Sequence, residues 1–425
     1  MRTSITTRPG ESRVPLGPVT VKSSTFLTRV ALKNFKSLAA CNVTLGPLTF
    51  LVGPNGAGKS NFLDALRFVA DSLRTSLEHA LRERNGINEV RRRSGGHPNH
   101  FGLRLWFTLP SGEVGHYAFR IGARPQGGFE VQDEECRIEA PEALGEAHYF
   151  RIQSGKVVAN TQPGPAAAID RLYLVSASGL PAFRPVYEAF SRMGFYSLNP
   201  DQIRDLQSPD AGELLARDGS NITSVLAQLK KNNPNRKLRI EEYLSKVVPG
   251  VHGVDVKVVG PKETLEFRQQ VAGLKDPWRF LAANMSDGTV RALGILVALF
   301  QSGNGAGPRV PLVGIEEPEI ALHPAAAGLL LDGLREASHS TQIIVTSHSG
   351  DLLDDEKLDE GSILAVYAAG GSTHIAPLDQ AGRTALLKRL YTPGELLRMD
   401  QLRPDPGSAP KEVDKQLHLF DRERN

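Results

Sequence analysis

The sequence has few cysteines, few aromatic residues and no long apolar run. Its 425 residues include only two cysteines, Cys41 and Cys136, which excludes a disulfide scaffold and leaves no spacing typical of a zinc site. The longest apolar run, residues 292–300, is nine residues long. Since a membrane span needs roughly 20, and the first residues do not resemble a secretory signal, we expect a cytoplasmic protein without membrane contact.

The charge is balanced overall but uneven along the chain. Fifty basic and 47 acidic residues give a formal net charge of +3, which says little about partners. Residues 82–104 contain the run Arg91-Arg92-Arg93, and residues 230–239 hold five cations without an acid. Such segments contact the phosphates of DNA, dock an acidic protein partner or form solvated surface, and the sequence leaves these alternatives open.

Apolar periodicity divides the chain into an α/β head and an insertion. Strand-like runs from residue 26, short alternating segments over residues 101–160 and strand–helix alternation from residue 286 predict a mixed sheet flanked by helices, with an antiparallel β meander. A mainly helical lobe is inserted between them. The predicted bounds are a disordered tail at 1–25, the N-terminal half of the head at 26–160, the insert at 161–282, the C-terminal half at 283–400 and a polar tail at 401–425.

A glycine-rich turn between a strand and a helix has the spacing of a phosphate-binding loop. Glycines there let backbone N–H groups converge on phosphates at a helix N-terminus. We predict that Lys59 reaches the β- and γ-phosphates and that Ser60 binds Mg²⁺. A chance glycine turn is the alternative, which the flanking strand and helix disfavour. The predicted nucleotide contacts are Gly53, Pro54, Asn55, Gly56, Ala57, Gly58, Lys59, Ser60 and Asn61.

Two strand ends in the second half of the chain supply candidate catalytic groups. One apolar strand ends in Glu316-Glu317, where we assign the first acid to the metal and the second to the base that polarises water. The next buried strand ends in His348, a candidate γ-phosphate contact. The alternatives are an exposed acidic turn and a histidine that caps the following helix. Lys59 and Glu316 are 257 residues apart, so a large insertion must separate the two halves of one site.

A helix start at Ser286-Asp287-Gly288 completes the order of motifs. Ser286 is a good N-cap residue, and a helix N-terminus favours an anion, although a plain N-cap is the alternative. The chain thus contains, in order, a phosphate loop, an insertion, a Ser-x-Gly helix start, an acidic strand and a histidine strand.

This order resembles the ABC-type ATPases of the RecF/SMC-like branch. More narrowly, it resembles the short ATPases related to the OLD (overcoming lysogenization defect) family, of the abortive-infection class. The resemblance implies an ABC-type P-loop ATPase head with ATP and Mg²⁺ as cofactors, in which two heads close over two ATP molecules. It rests on LKNFKSL (32–38), LVGPNGAGKSNFLDAL (51–66), LNPDQIRDL (198–206), DGSNITSVL (218–226), MSDGT (285–289), IEEPEIALHP (315–324) and VTSHS (345–349).

The resemblance also implies a role for each matching residue. The signature motif in this family meets the γ-phosphate of the opposite subunit, and the D-loop lies at the same interface. The implied roles are Walker A lysine for Lys59, Mg²⁺ ligand for Ser60, Walker B acid for Glu316, catalytic carboxylate for Glu317, switch histidine for His348, signature motif for Ser286 and Gly288, and D-loop for residues 319–323.

The sequence departs from the family pattern at three points. Glutamate stands at position 316 where aspartate is usual, and Asp287 and Thr289 alter the signature motif. No glutamine near residues 94–104 matches the Q-loop. The candidates for that role are His97, Asn99 and His100.

The resemblance implies an ATPase subunit of a prokaryotic defence or DNA-metabolism complex. OLD-like proteins often carry a C-terminal Toprim nuclease, and the 77 residues that follow His348 are too few for one, so we expect a separate nuclease or toxin as effector. We predict a Mg²⁺-dependent ATPase that forms a homodimer or higher homo-oligomer through its ATP sites, with DNA as a further candidate partner. The alternatives are a RecF-like DNA repair ATPase and a slow nucleotide-gated scaffold for an effector protein.

Overall fold

The computed structural model describes residues 25–94, 98–139, 147–271, 277–301, 309–355, 358–408, 413–414 and 417–420. None of the helices in these ranges is long and apolar enough to cross a membrane. The strands, in chain order, are β1 (Leu27–Phe35), β2 (Leu38–Thr44), β3 (Leu48–Val52), β4 (His100–Thr108), β5 (Val114–Ala123), β6 (Phe129–Glu139), β7 (His148–Gln153), β8 (Lys156–Asn160), β9 (Gly194–Tyr196), β10 (Val251–Val259), β11 (Lys262–Gln269), β12 (Trp278–Leu281), β13 (Leu312–Glu316), β14 (Gln342–Ser347), β15 (Ile363–Ala369) and β16 (Ser372–Pro377).

The helices surround these strands and connect them. Short 3₁₀ turns lie at Ala282–Asn284, Pro324–Ala326, Glu360–Ser362 and Pro406–Ser408. The α-helices, in chain order, are α1 (Lys59–Arg74), α2 (Leu77–Arg82), α3 (Ile87–Val90), α4 (Tyr173–Ala177), α5 (Arg184–Ser191), α6 (Pro200–Arg204), α7 (Ile222–Asn232), α8 (Pro234–Val247), α9 (Asp287–Phe300), α10 (Ala327–Ser338), α11 (Gly350–Leu353), α12 (Gln380–Leu387) and α13 (Pro393–Arg398).

An antiparallel sheet, called here the first sheet, is built from strands of the N-terminal half. Its order is β2-β1-β4-β5-β6-β7-β8, so the meander predicted for residues 101–160 is extended by β1 and β2. Alternation along β4 turns Leu103 and Leu105 into the core, while Arg104 and Trp106 lie on the opposite face. The sheet therefore has one face toward the core and one face directed away from it.

The second sheet is mostly parallel and is buried on both faces. Its order is β16-β15-β3-β14-β13-β9, and only the β15–β16 pair is antiparallel. Along β14, Ile344 packs into the core that α1 shares with the first sheet, whereas Ile343 and Val345 pack into a second core with α9 and α10. Burial on both faces explains why these strands are continuous apolar runs in the sequence. The predicted α/β class is confirmed.

The insertion is helical but also contains a small antiparallel sheet, β10-β11-β12. Helices α7 and α8 pack against α9 of the head. Strand β9 pairs with β13, so the parallel sheet takes its edge strand from the range 161–282. The five predicted segment bounds remain a prediction, and residues 1–24 of the predicted disordered tail lie outside the described residues.

Part of the C-terminal segment that the sequence predicts as a polar tail packs on the outer face of the first sheet. Leu417 and Leu419 are buried there, against Ala31 and Ala40. Gly102 allows this approach, because a Cβ at that position would lie 2.6 Å from Leu419 Cδ1. The segment thus contains two apolar anchors among its charged residues.

Glu134 on β6 is a buried carboxyl group that joins the first sheet to α4. It accepts hydrogen bonds from the Tyr117 hydroxyl at 2.9 Å, from the Leu174 N–H at 2.9 Å and from the Tyr173 N–H. Burial raises the pKa of Glu134 to about 7, although these three donors favour the charged form.

We expect the substitution Glu134→Gln to remove a pH-dependent part of the stability. The folded pKa of Glu134 lies above its ordinary value of 4.5, so the protonated group stabilises the fold below that pH, and this contribution is lost as the pH rises through about 7. Between pH 4.5 and about 7, this contribution to the unfolding free energy of the wild-type protein should fall by on the order of 3 kcal/mol. Chemical denaturation across this pH range measures it. The exposed Glu139→Gln variant should keep the wild-type profile, and a Glu134→Gln protein that also kept it would contradict the assignment.

Candidate functional site

The phosphate loop follows β3 and leads directly into α1. Gly56 and Gly58 have φ angles of 77° and 102°, in the left-handed region that glycine adopts without strain. A Cβ at Gly58 would also lie 2.0 Å from Thr373 Oγ1. The sequence pattern of this loop therefore reflects both backbone conformation and close packing against β16.

Lys59 is buried at the start of α1 and faces back into the loop. Its ammonium group donates to the carbonyl oxygens of Gly53 at 2.8 Å and Pro54 at 3.1 Å. Burial lowers the pKa of Lys59, while the charges of Glu317 and Glu319 oppose this effect. The lysine is thus within electrostatic reach of the carboxylates that follow β13, and a phosphate in the loop would give it a charged partner in place of two carbonyls.

The loop is braced by groups that are distant in sequence. The Thr373 hydroxyl on β16 donates to the Ala57 carbonyl at 2.9 Å and lies 2.7 Å from Ser37 Oγ, in the turn between β1 and β2. Asn61 Nδ2 donates to the same Ser37 oxygen at 2.7 Å. Asn61, which the sequence predicts as a nucleotide contact, therefore holds the scaffold of the loop in this structure.

The ends of β13 and β14 bring Glu317 and His348 together. His348 Nδ1 lies 3.1 Å from Glu317 Oε1, and the cap of the following helix α11 is Ser349 rather than the histidine. Glu317 has a φ of 45°, which is uncommon for a residue with a side chain. Its N–H donates to the Thr346 carbonyl at 3.0 Å, and its carbonyl accepts from Arg291 at 3.1 Å. These contacts hold a strained backbone at a candidate catalytic position.

Glu316 contacts an arginine that the sequence reasoning missed. Arg217 Nη2 lies 3.2 Å from Glu316 Oε1, and the Arg217 carbonyl accepts the N–H of Ser197, immediately after β9. A cavity of about 500 Å³ is lined there by Ser197, Asn199, Arg217 and Asp218, among others. No local pattern distinguishes Arg217; only the pairing of β9 with β13 brings its loop to the carboxylate.

The residues at this edge of the sheet fit a magnesium ion. Ser60 places an exposed hydroxyl at the end of the phosphate loop, and Glu316 supplies a carboxylate. Glu319 Oε1 accepts from Ser347 at 2.7 Å, whereas its Oε2 is buried without a hydrogen-bond partner in the described chain. The described residues contain no cluster of three or more His, Cys, Asp or Glu side chains able to hold a metal. Mg²⁺ needs none, since it binds one or two protein oxygens together with phosphates and water.

The predicted signature residues lie at the start of α9. The Ser286 hydroxyl accepts the Thr289 N–H at 3.3 Å and so caps this helix. A Cβ at Gly288 would lie 2.5 Å from the Ala321 carbonyl, which places the signature beside residues 319–323. Within the described ranges, no hydrogen bond joins Ser286 or Gly288 to the phosphate loop of the same chain.

The Q-loop candidates His97, Asn99 and His100 remain a prediction. His97 lies outside the described residues. Asn99 and His100 are at the start of β4, where the Asn99 carbonyl accepts the Ala123 N–H and His100 Nδ1 lies 3.1 Å from Asn99 Oδ1. Strand β4 belongs to the first sheet, whereas the site forms at the strand ends of the parallel sheet. The segment that reaches Glu316 is the one around Ser197 and Arg217.

Both basic segments are largely engaged within the molecule. Arg92 donates to the Ser37 carbonyl and to Ser372 Oγ, both at 2.8 Å, and so ties the β1–β2 turn to β16. In the second segment, Lys237 is buried and pairs with Glu241 at 2.7 Å. These contacts support a structural role for the two segments more than a DNA-binding one.

The fold and the site together define an ABC-type P-loop ATPase head of the SMC/RecF-like branch. The profile of a family described as "AAA domain, putative AbiEii toxin, Type IV TA system" matches residues 48–120 and 177–355. The chain belongs to this family, and the predicted resemblance to SMC-like and OLD-related ATPases is confirmed.

The curated relatives match over short segments. The OLD nuclease of Thermus scotoductus is 47% identical over 51 residues, which are 12% of this chain and 10% of that protein. The chromosome partition protein Smc of Halothermothrix orenii is 51% identical over 47 residues, 10% of this chain and 4% of that protein. The chain thus spans a tenth or less of the length of these relatives.

Solved structures match over most of the chain. An Smc head bound to the C-winged helix domain of ScpA superposes with a TM-score of 0.53 and 17% identity, over 84% of this chain and 99% of that one. The Smc head of Pyrococcus furiosus with an extended coiled coil, bound to the C-terminal domain of ScpA, gives 0.53 and 14% identity over 86% and 99%. At these identities the similarity establishes the fold.

We expect Thr373→Val to weaken ATP binding roughly five-fold or more, because an unsatisfied buried polar group costs about 1–3 kcal/mol. Valine keeps the shape of the side chain but leaves the Ala57 carbonyl and the Ser37 hydroxyl without this partner. Titration with a fluorescent ATP analogue measures the affinity. Thr373→Ser is the matched control and should bind as the wild type does. Equal affinity in the valine variant would show that the hydroxyl does not brace the loop.

We expect Arg217→Ala to lower the Mg²⁺ concentration needed for half-maximal ATP binding. The guanidinium group of Arg217 occupies an oxygen of Glu316, so its removal frees that carboxylate for the metal. The pair is partly exposed, and the change is therefore modest, roughly two- to five-fold. Magnesium titrations of nucleotide binding measure it, with Arg192→Ala on α5 as the control. If Arg217→Ala needed the same or a higher Mg²⁺ concentration for half-maximal ATP binding, Arg217 would not compete with Mg²⁺ for Glu316.

Proposed function

We propose that this protein is a Mg²⁺-dependent ATPase that dimerises on ATP and controls a separate nuclease or toxin in prokaryotic antiviral defence. The observation that supports hydrolysis is the convergence of three groups at one edge of the parallel sheet. Lys59 lies within electrostatic reach of Glu317, and Glu317 lies 3.1 Å from His348. Such a set can bind a phosphate, polarise a water molecule and hold the base in place.

Each residue takes a role that follows from its contacts. The loop N–H groups and Lys59 would bind the phosphates. Ser60 and Glu316 would hold Mg²⁺, which would supply charge neutralisation at the phosphate oxygens. Glu317 orients the attacking water and accepts its proton. His348 keeps the Glu317 carboxylate in position through their contact and would contact the γ-phosphate of a bound ATP.

Dimerisation is supported by the surface around the start of α9. Ser286 is exposed, Gly288 is partly exposed and adjoins Ala321, and the neighbouring Ile320 is an apolar side chain that is 41% exposed. The predicted signature and D-loop residues therefore form one surface. In a two-fold dimer, such a surface would face the phosphate loop of the second copy, so that each ATP is held between two chains.

The effector and the defence role rest on the relatives. The family description names a toxin and a toxin–antitoxin system, and the OLD nuclease matches over a short segment. These names motivate a nuclease or toxin that acts in trans under the control of ATP-driven head closure. A RecF-like repair ATPase would use the same head and would differ in its partner.

A slow nucleotide-gated scaffold is the second candidate function. It is favoured by the contacts that occupy the site in this conformation: Arg217 on Glu316, and two loop carbonyls on Lys59. In that case, ATP binding and not turnover would set the state of the effector. Multiple-turnover hydrolysis with a rate that rises on adding a partner would separate the ATPase from the scaffold.

The decisive experiment is the solution mass of the Glu317→Gln protein with and without ATP and Mg²⁺. Glutamine keeps the size of the side chain but cannot accept the proton, so ATP is bound without hydrolysis. We expect a shift from monomer to dimer only when both ATP and Mg²⁺ are present. Multi-angle light scattering measures the mass, and equilibrium dialysis in parallel measures bound ATP.

Two variants control this experiment. Lys59→Ala in the same background should lose both ATP binding and the mass shift. Ser286→Arg should bind ATP with unchanged affinity but remain a monomer, since the arginine blocks only the shared surface. A Glu317→Gln protein that binds ATP but does not change its mass would overturn dimerisation and leave the nucleotide site intact. A Lys59→Ala variant that still binds ATP would overturn the site itself.

A further inference from the structure

Five consecutive exposed residues begin at the last residue of α12, and three of them are large apolar side chains. Leu387 is 66% exposed, Leu390 62% and Tyr391 46%, and the two residues after Leu387 are the exposed cations Lys388 and Arg389. Single apolar side chains are ordinary on a protein surface, whereas a contiguous exposed group indicates an interaction site. We call residues 387–391 the apolar turn.

The backbone of the apolar turn is held in one conformation. The Arg389 N–H donates to the Leu386 carbonyl at 2.9 Å and the Leu390 N–H donates to the Ala385 carbonyl at 3.0 Å, the two bonds that end a helix in a Schellman motif. Arg389 has a φ of 50°, the left-handed conformation that glycine usually supplies at this position. Ala385 and Leu386 pack against the second core. The turn is therefore anchored from inside, while its outer side chains remain exposed.

The surroundings of the apolar turn are cationic. Residues 381–394 contain Arg383, Lys388 and Arg389 and no acid. Within the part of the chain that the structure describes, the side chains of Lys388 and Arg389 take part in no hydrogen bond or ion pair. Two free cations beside three exposed apolar side chains complement a partner surface that is both acidic and apolar.

Charge argues against two segments of this chain as the occupant of the apolar turn. Residues 351–360 include six acids, but four of them already have partners within the molecule. These four are Asp351 and Asp354 on Arg398, Asp355 on Arg335, and Asp359 on the N–H of Gly361. Residues 1–24 are cationic, with four basic residues against one acid. Charge complementarity therefore favours a segment of another protein over a second copy of this chain.

The apolar turn leads directly into a helix that packs beside the candidate γ-phosphate contact His348. Helix α13 starts two residues after Tyr391 and packs against α11, which starts two residues after His348. Asp354, the C-cap residue of α11, accepts from the Thr392 hydroxyl at 2.7 Å. A Cβ at Gly394 would lie 2.3 Å from the same carboxylate, so the two helices are in close contact. A partner on the turn is thus connected to the nucleotide site through packed backbone.

We propose that the apolar turn docks an acidic amphipathic segment of a partner protein. Apolar side chains of the partner would cover Leu387, Leu390 and Tyr391, and its carboxylates would pair with Lys388 and Arg389. An amphipathic helix presents both kinds of side chain at the required spacing. A polynucleotide would use the cations but leave the two leucines uncovered. The docking itself does not depend on the nucleotide site, whereas its coupling to His348 rests on the proposed function, in which the partner is the effector.

A designed peptide tests the docking in the absence of nucleotide. The probe is a fluorescein-labelled helical peptide of about four turns, with leucine along one face at the i, i+3, i+4 and i+7 positions and glutamate elsewhere. Its control has the same composition in scrambled order. We expect fluorescence anisotropy to show binding of the amphipathic peptide at least ten-fold tighter than that of the scrambled one. Equal affinity for both peptides, tighter binding of oligo(dT), or adsorption to phosphatidylglycerol vesicles without peptide binding would overturn the proposal.

Substitutions in the apolar turn test the surface. Leu390→Ser and Lys388→Glu should each weaken peptide binding roughly five-fold or more, the lower limit for a residue at the centre of an interface. Both side chains are exposed, so the fold should persist. The matched controls are Leu238→Ser on α8, where the leucine is 55% exposed, and Lys231→Glu on α7. Unchanged affinity in Leu390→Ser, or an equal loss in Leu238→Ser, would overturn the assignment.

A second measurement tests the coupling to the nucleotide site. In the Glu317→Gln protein, ATP with Mg²⁺ should change the affinity for the peptide roughly five-fold or more, and the peptide should change the affinity for ATP by the same factor. Arg398→Ala removes a contact between α13 and α11 outside the turn and should reduce this effect. Peptide binding that ignores bound ATP would overturn the coupling alone, whereas absence of peptide binding would overturn the docking whether or not the protein hydrolyses ATP.

Discussion

The nucleotide site depends on β3 being a central strand of the parallel sheet. Strand β3 ends at Val52, but its two neighbours, β14 and β15, come from the last hundred residues of the chain. The register places Ser347 beside Val52, so His348 follows its strand at the same edge of the sheet at which the phosphate loop follows β3. A Cβ at Gly53 would lie 2.0 Å from the Val366 carbonyl of β15, so the loop starts against the backbone of the C-terminal half. The loop therefore takes its shape only when both halves of the head have paired.

The charged groups at this edge have incomplete or substitute partners. Lys59 is bound by neutral carbonyls, Glu316 by a half-exposed arginine, and one buried oxygen of Glu319 has no hydrogen-bond partner in the described chain. Glu317 also keeps a left-handed backbone conformation. Unpaired buried polar atoms and strained residues cost free energy, and they persist where the surrounding fold holds them for a ligand. This combination is what distinguishes the site from an ordinary strand-end cluster of acids.

Helix α1 connects the nucleotide site to the first sheet. It begins at the phosphate loop with Lys59, and its Phe68 ring lies 5.4 Å from that of Phe101 on β4. The opposite face of β4 carries Trp106 and Arg104. One strand thus separates the buried side of α1 from the outer face of the first sheet. The nucleotide site and the first sheet therefore belong to one continuous packed unit rather than to separate lobes.

The sequence by itself determined the fold class, the order of the motifs and the identity of Lys59, Glu317 and His348 as candidate groups, because glycine spacing, apolar periodicity and strand-end residues are local signals. It could not reveal Arg217, the bracing by Thr373, or the engagement of Arg92 and Lys237 inside the molecule. Which strands become neighbours, and in what register, is decided by packing between distant parts of the chain, and only the tertiary structure fixes the contacts that follow from it.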